Sequence, residues 1–230
     1  MTNSFQFKHL RHGAWATGLS VSVAALACGG PKQKPDEPPK PRPVAALPTG
    51  ALAGQQVILL PLTLVAAEDS LGWERELTDR HATLARADSI QGALLQMRVP
   101  EVVWILPDAL RRAARRAPGI AVDPDQMATA VLRVDKLTVV PDPLRSQLRT
   151  LAALATGGSE RFALAPAALI YKRAHNLPGA PPVFANAELV MALVDVRTGQ
   201  VMWRTVAQGA GDDPWIALTR AVKSYTPGLP

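Results

Sequence analysis

The chain has little of what staples a fold or holds a metal. One cysteine, Cys28, occurs in 230 residues, so no intramolecular disulfide can form and the fold must rest on its core. Of four histidines only His81 and His175 lie beyond residue 30, far apart in sequence, which argues against a zinc site. Aromatic residues make up 5% of the chain, and no acid precedes Asp36. The amino-terminal apolar run, residues 14–27, falls short of the roughly 20 residues that a membrane-spanning helix needs. No phosphate-cradling glycine pattern and no Gly-x-Ser-x-Gly elbow occurs, so no cofactor and no catalytic residue is assigned.

What is present at the amino terminus has three parts. Residues 1–13 carry Lys8 and Arg11 without an acid, residues 14–27 are apolar and uncharged, and Ala25-Leu26-Ala27 leads into Cys28. This junction resembles a bacterial lipobox, a small residue followed by the cysteine that takes lipid. The resemblance implies a signal peptide over 1–27, a lipidated Cys28 carrying palmitate-type chains, and attachment to a bilayer. Two or more acyl chains give the stable anchoring that one chain does not. Ala25-Leu26-Ala27 also satisfies the small-x-small rule of ordinary signal cleavage, which would leave a secreted or periplasmic soluble protein. Gly29 stands where an aspartate commonly retains such lipoproteins at the inner membrane, so the same resemblance implies the outer membrane.

Residues 28–50 read as a disordered, proline-rich tether, with Pro31, Pro35, Pro38, Pro39, Pro41, Pro43 and Pro48. Extended as polyproline II, the stretch from Pro31 to Gly50 reaches roughly 60 Å at about 3.1 Å per residue. The formal net charge of +6 arises mainly here and in the signal. From Gly50 onward 19 Lys and Arg face 17 Asp and Glu, too even a balance for a nucleic-acid-binding domain.

Residues 51–230 are long enough for one α/β (α+β) domain, with a single mixed β-sheet of about five strands and packed helices. Residues 55–64 form an aliphatic run suited to a strand covered on both faces. Asp88-Ser89-Ile90-Gln91 predicts a capping box and a helix over 89–98, and residues 101–106 predict a second strand. Pro107 opens a helix to Ala117, and Asp123-Pro124 predicts a short helix to about Arg133. Asp142-Pro143 starts another that Gly157-Gly158 ends. Residues 161–171 predict a strand with an edge or bulge at Pro166, and residues 188–196 predict a longer one. Arg197-Thr198-Gly199-Gln200 predicts a hairpin turn, with the returning strand to about Ala207. Asp213-Pro214 caps a last helix whose apolar stripe is Trp215, Leu218, Val222 and Tyr225. The loop over 173–186, rich in Pro and Gly, is expected to be mobile.

An opening strand ending in proline, the strand Phe162-Ala163-Leu164-Ala165 and the hairpin Asp195-Val196-Arg197-Thr198-Gly199-Gln200-Val201-Met202-Trp203 together resemble one group of envelope domains. They are similar to the curli-secretion lipoprotein, the lipoprotein activators of penicillin-binding proteins and the amino-terminal domain of the Tol-Pal translocation protein. The resemblance implies a non-enzymatic domain that docks an envelope protein partner.

Two readings of function stand: a membrane-anchored, non-catalytic protein-interaction or assembly module, and an envelope hydrolase acting on glycan or lipid. For the first, Arg111, Arg112, Arg115 and Arg116 on one helix are a candidate interaction surface, since guanidinium forks match phosphate and carboxylate oxygens. A solvated helix face is the plainer account of the same four residues. Trp73, outside a clear element, is the candidate for an exposed aromatic contact.

Overall fold

The computed structural model describes residues 43–158, 160–174, 185–226 and 228. The signal segment, Cys28 and the tether as far as Arg42 lie outside the described residues. His175 and residues 175–184 of the predicted loop lie outside them too. The folded chain starts earlier than Gly50, because an apolar residue sits within the expected tether. Leu47 is buried, and its N–H donates to the Tyr225 carbonyl at 2.8 Å, while the Ala45 N–H donates to Thr205 Oγ1 at 2.9 Å. A short helix α1 (Thr49–Leu52) follows and buries Leu52.

Pro61 decides how the first strand is built. A proline cannot donate to a ladder, so the aliphatic run divides into β1 (Gln56–Leu59) and β2 (Val65–Ala67). Helices α2 (Glu74–Leu77) and α3 (Arg80–Arg98) lead to β3 (Val103–Ile105), and α4 (Pro107–Arg116) and α5 (Leu144–Thr156) lead to β4 (Phe162–Arg173). The chain closes with β5 (Ala185–Asp195), β6 (Val201–Gly211) and α6 (Pro214–Tyr225). The strands form one mixed sheet in the order β3-β1-β4-β5-β6, with β2 also paired to β4. Pairings of β1 with β3 and β4, and of β2 with β4, are parallel, and the last three strands run antiparallel.

Alternation along β1 sends Val57 and Leu59 to one face, Ile58 and Leu60 to the other. The first face is covered by α3 and α6 through Leu84, Leu95, Leu218 and Val222. Leu110 of α4 and Leu144, Leu148 and Leu151 of α5 cover the second. Both faces of β1 and of the first half of β4 are therefore dry, as their unbroken aliphatic sequence requires. β4 pairs with β1 over Phe162–Leu164 and with β2 over Leu169–Tyr171. Its register against β5 slips between Pro166 and Ala168. The two prolines thus border one gap in a central strand, and Pro166 marks a bulge rather than an edge.

Two helix boundaries differ from the sequence reading. α3 begins nine residues before Ser89, with the Asp79 carboxylate accepting the Ala82 N–H at 3.0 Å. Asp88 is consequently a buried mid-helix residue and not a cap. Polar Thr83, Asp88 and Gln91 are buried beside Leu84, Ala87 and Leu94, which hides the apolar period of this helix. Residues 123–133 form two 3-10 turns, Pro124–Gln126 and Thr129–Arg133, instead of an α-helix, since Met127 between them has an extended backbone. The hairpin turn lies where predicted, with Gly199 at φ 79° and the Asp195 carboxylate accepting the N–H groups of Arg197 and Thr198 at 3.0 Å each.

Helix α6 lies so close to the end of β6 that Gly209 and Gly211 must lack side chains. A Cβ on Gly209 would come within 2.2 Å of the Ala221 nitrogen and 2.3 Å of the Ala217 carbonyl oxygen. Both contacts are backbone, so no rotamer change relieves them. Gly209→Ala is expected to destabilise the domain by about 3 kcal/mol or more, whereas Gly50→Ala, at an open position, should cost under about 1 kcal/mol. Urea unfolding of the two variants measures the difference.

Candidate interaction surface

The gap between β1 and β2 leaves backbone groups that no strand satisfies, and a buried carboxylate takes one of them. The Leu62 N–H donates to Asp88 Oδ1 at 2.8 Å. Thr63 is held on both sides: its hydroxyl bonds to the Thr129 hydroxyl at 2.8 Å, and its carbonyl accepts from Arg80 at 2.6 Å. Asp88 is only 5% exposed, so its charge needs a partner as well. Arg111 supplies it from α4, with Nη2 on Asp88 Oδ2 at 2.5 Å. The same guanidinium is forked onto Asp125, with Nε to Oδ2 at 2.9 Å and Nη2 to Oδ1 at 2.7 Å, and reaches Asp108 at 2.9 Å.

These contacts set the protonation behaviour. Burial is the largest influence on Asp88 and raises its pKa from the ordinary 3.8 to about 6. The Leu62 N–H and Arg111 pull it down, and the charge of Asp125 adds to the rise. Arg111 is held well above its usual value, first by Asp125 and, against the opposing effect of burial, also by Asp88. The guanidinium has no spare fork for a ligand. Among the described residues no group of three or more His, Cys, Asp or Glu is arranged to hold a metal ion.

The four arginines of α4 therefore divide. Arg111 faces inward and is consumed by three aspartates, which corrects its assignment to an interaction surface. Arg112, Arg115 and Arg116 are exposed and make no ion pair among the described residues. Arg115 and Arg116 occupy the last turn, where cations complement the helix dipole.

Trp73 is also placed differently from the sequence reading. Only 9% of it is exposed, because its ring packs edge-on against Tyr171 with centroids 5.4 Å apart. It lines a cleft of about 260 Å³ together with Val65, Ala66 and Ala67 of β2 and with Leu77, Arg80 and Thr83. Glu68 and Asp69 line it as well. Three further hollows surround Arg111 between α3, α4 and the turn at Pro124–Gln126. Sequence reading missed the β2 cleft, since the residues that line it follow no motif.

No protein-family model matches the chain, and no curated protein does. Similar solved structures exist. The LpoB C-terminal domain from Salmonella enterica is 17% identical, covering 70% of this chain and 84% of that one at a TM-score of 0.36. The PelC dodecamer from Paraburkholderia phytofirmans is 14% identical, covering 81% and 96% at 0.36. Lipoprotein GNA1162 from Neisseria meningitidis is 12% identical, covering 67% and 79% at 0.29. Of these three, the Neisseria protein is itself named a lipoprotein.

Arg111→Ala leaves Asp88 buried without its cation and is expected to cost about 3 to 5 kcal/mol in urea unfolding. Replacing Arg112, Arg115 and Arg116 by Gln should change stability by no more than about 0.5 kcal/mol each, as the exposed guanidiniums hold nothing in the fold.

Asp88 also makes stability depend on pH in an unusual sense. Its pKa is higher in the folded state, so its favourable contribution is complete below about 3.8 and is lost as pH rises through about 6. Between about pH 7 and about pH 4 the stability of the natural chain should therefore rise relative to Asp88→Asn, by up to about 3 kcal/mol. A relative stability that stays flat or falls across this window would contradict the assigned shift.

Proposed function

We propose that this protein is an outer-membrane lipoprotein, anchored through acyl chains on Cys28, whose folded domain is a non-catalytic module that binds an envelope protein. The observation that carries the reading is the junction Ala27-Cys28-Gly29 followed at once by a proline-rich tether. An acylated cysteine needs such a spacer if the domain is to work clear of the bilayer surface.

The use of polar groups inside the domain supports the non-catalytic part. Asp88 is the carboxyl that a hydrolase reading would choose, being buried, shifted and beside a hollow. Both of its oxygens are already committed, one to the Leu62 N–H and one to Arg111. Asp123, Asp142 and Asp213 are likewise engaged in local capping or turn bonds. What the surface offers instead is three exposed guanidiniums on α4, without an ion pair among the described residues, and a cleft along β2.

The mass of the mature amino terminus tests the anchor directly. A lipid-modified cysteine is expected at the first position of the processed chain, and Cys28→Ser should move the protein from the membrane fraction to the soluble one. An unmodified Cys28 would make the protein a soluble secreted module. If the natural chain and Cys28→Ser share one membrane distribution and one set of cross-linked partners, the anchored reading fails.

A further inference from the structure

We infer that the free edge of β2 is where the partner docks, as an extended peptide segment added beside Val65 and Ala67. This rests on the interaction reading above and names its site. The strand is parallel to β4, and the Leu169 N–H donates to the Leu64 carbonyl while the Glu68 N–H donates to the Tyr171 carbonyl. In a parallel ladder alternate residues bond to the same neighbour. Leu64, Ala66 and Glu68 thus face β4, and the backbone N–H and C=O of Val65 and Ala67 face outward. Among the described residues no hydrogen bond reaches these outward groups.

The opposite edge of the sheet is treated differently. On β6, Arg204 donates to the carbonyls of Val134 and Leu137, the Val201 N–H donates to the Thr138 carbonyl, and Val139 bridges Gln200. Arg220 further occupies the Ala210 carbonyl at 2.6 Å. Those contacts blunt an edge against pairing. β2 carries no proline and no lysine, and among the described residues it has no such cover. In place of cover it has the cleft lined by Trp73.

The cleft defines the occupant. Backbone groups spaced along a strand are met by another strand, and an apolar side chain from it would lie over Trp73 and Leu77. The ends differ in charge: exposed Arg80 stands near Thr63, and exposed Asp69 follows the other end of the strand. The matching segment is therefore three or four residues long, apolar at its centre, with an acid toward Arg80 and a base toward Asp69. The exposed guanidiniums of α4 are not required for it.

Photo-cross-linking in intact cells tests the inference with the full, anchored chain. Benzoylphenylalanine is placed at Ala66, and at Arg115 and Met202 for comparison, with and without Ala67→Pro. The Ala67 N–H does not bond to β4, so proline there keeps the ladder and removes only the outward donor. The expected result is an adduct at Ala66 with another envelope protein, joined to a segment of the stated charge pattern. Ala67→Pro should lower its yield about tenfold, as loss of a backbone bond and a steric block predict. Asp69→Lys, at an exposed position, should lower it about threefold and serves as a second variant if proline alters the melting midpoint. An adduct at Ala66 that both variants leave unchanged, or adducts at Arg115 or Met202 alone, overturn the β2 site while the interaction reading stands. An adduct of twice the chain mass at Ala66 overturns the partner assignment in favour of a second copy. The absence of protein adducts at all three positions overturns both proposals.

Discussion

The bond from the Leu62 N–H to the Asp88 carboxylate is the constraint around which the domain is arranged. Pro61 opens the first strand in the middle of the sheet, where both faces are dry and no water can take an orphaned amide. A side chain must do so, and a carboxylate on the neighbouring helix is placed to accept. Having buried that charge, the fold has to supply a cation, and the cation requires neutralisation in turn. Arg111 on α4 and the two aspartates around it follow from a single missing ladder bond. Helices on opposite sides of the sheet are thereby tied together around the edge of the same gap.

That chain of consequences separates polar residues that serve the fold from polar residues that do not. Asp88, Asp108, Arg111 and Asp125 belong to the first kind, although their types and cleft setting are those of a reaction centre. Arg112, Arg115 and Arg116 belong to the second. Their sequence neighbourhood resembles that of Arg111, within about a turn and a half of the same helix. The helical period turns Arg112 and Arg116 away, while Arg115 shares the face of Arg111 but lies one turn further along α4, and only Arg111 pairs with Asp88, Asp108 and Asp125.

Much of the architecture was legible because local chemistry and burial agreed. Asp213 with Pro214, Pro107 at the head of α4, Gly157 at φ 80° and the Asp195 turn are boundary signals with a mechanism, and each lies at the position read from sequence. The long, unbroken aliphatic strands announced a sheet covered on both sides. The polar stripe of α3 was illegible, since residues 80–98 bury Thr83, Asp88 and Gln91 and so lose the apolar rhythm. Trp73 was misread for the opposite reason: lacking an element in sequence, it gains its burial from Tyr171, about a hundred residues away. The β2 edge had no signature at all, as backbone direction is not written in residue type.

The segment at Ala45 and Leu47 has a mechanical meaning. Its two backbone bonds end on Thr205 of β6 and on Tyr225 at the close of α6. Tension applied to the chain before residue 43 would be borne first by these bonds and by the buried Leu47 side chain. The split strand and its aspartate lie on the other side of β4 and β5, out of the direct line of load. A pull on residue 43 would therefore reach β6 and α6 before the gap on which the assembly of the domain depends.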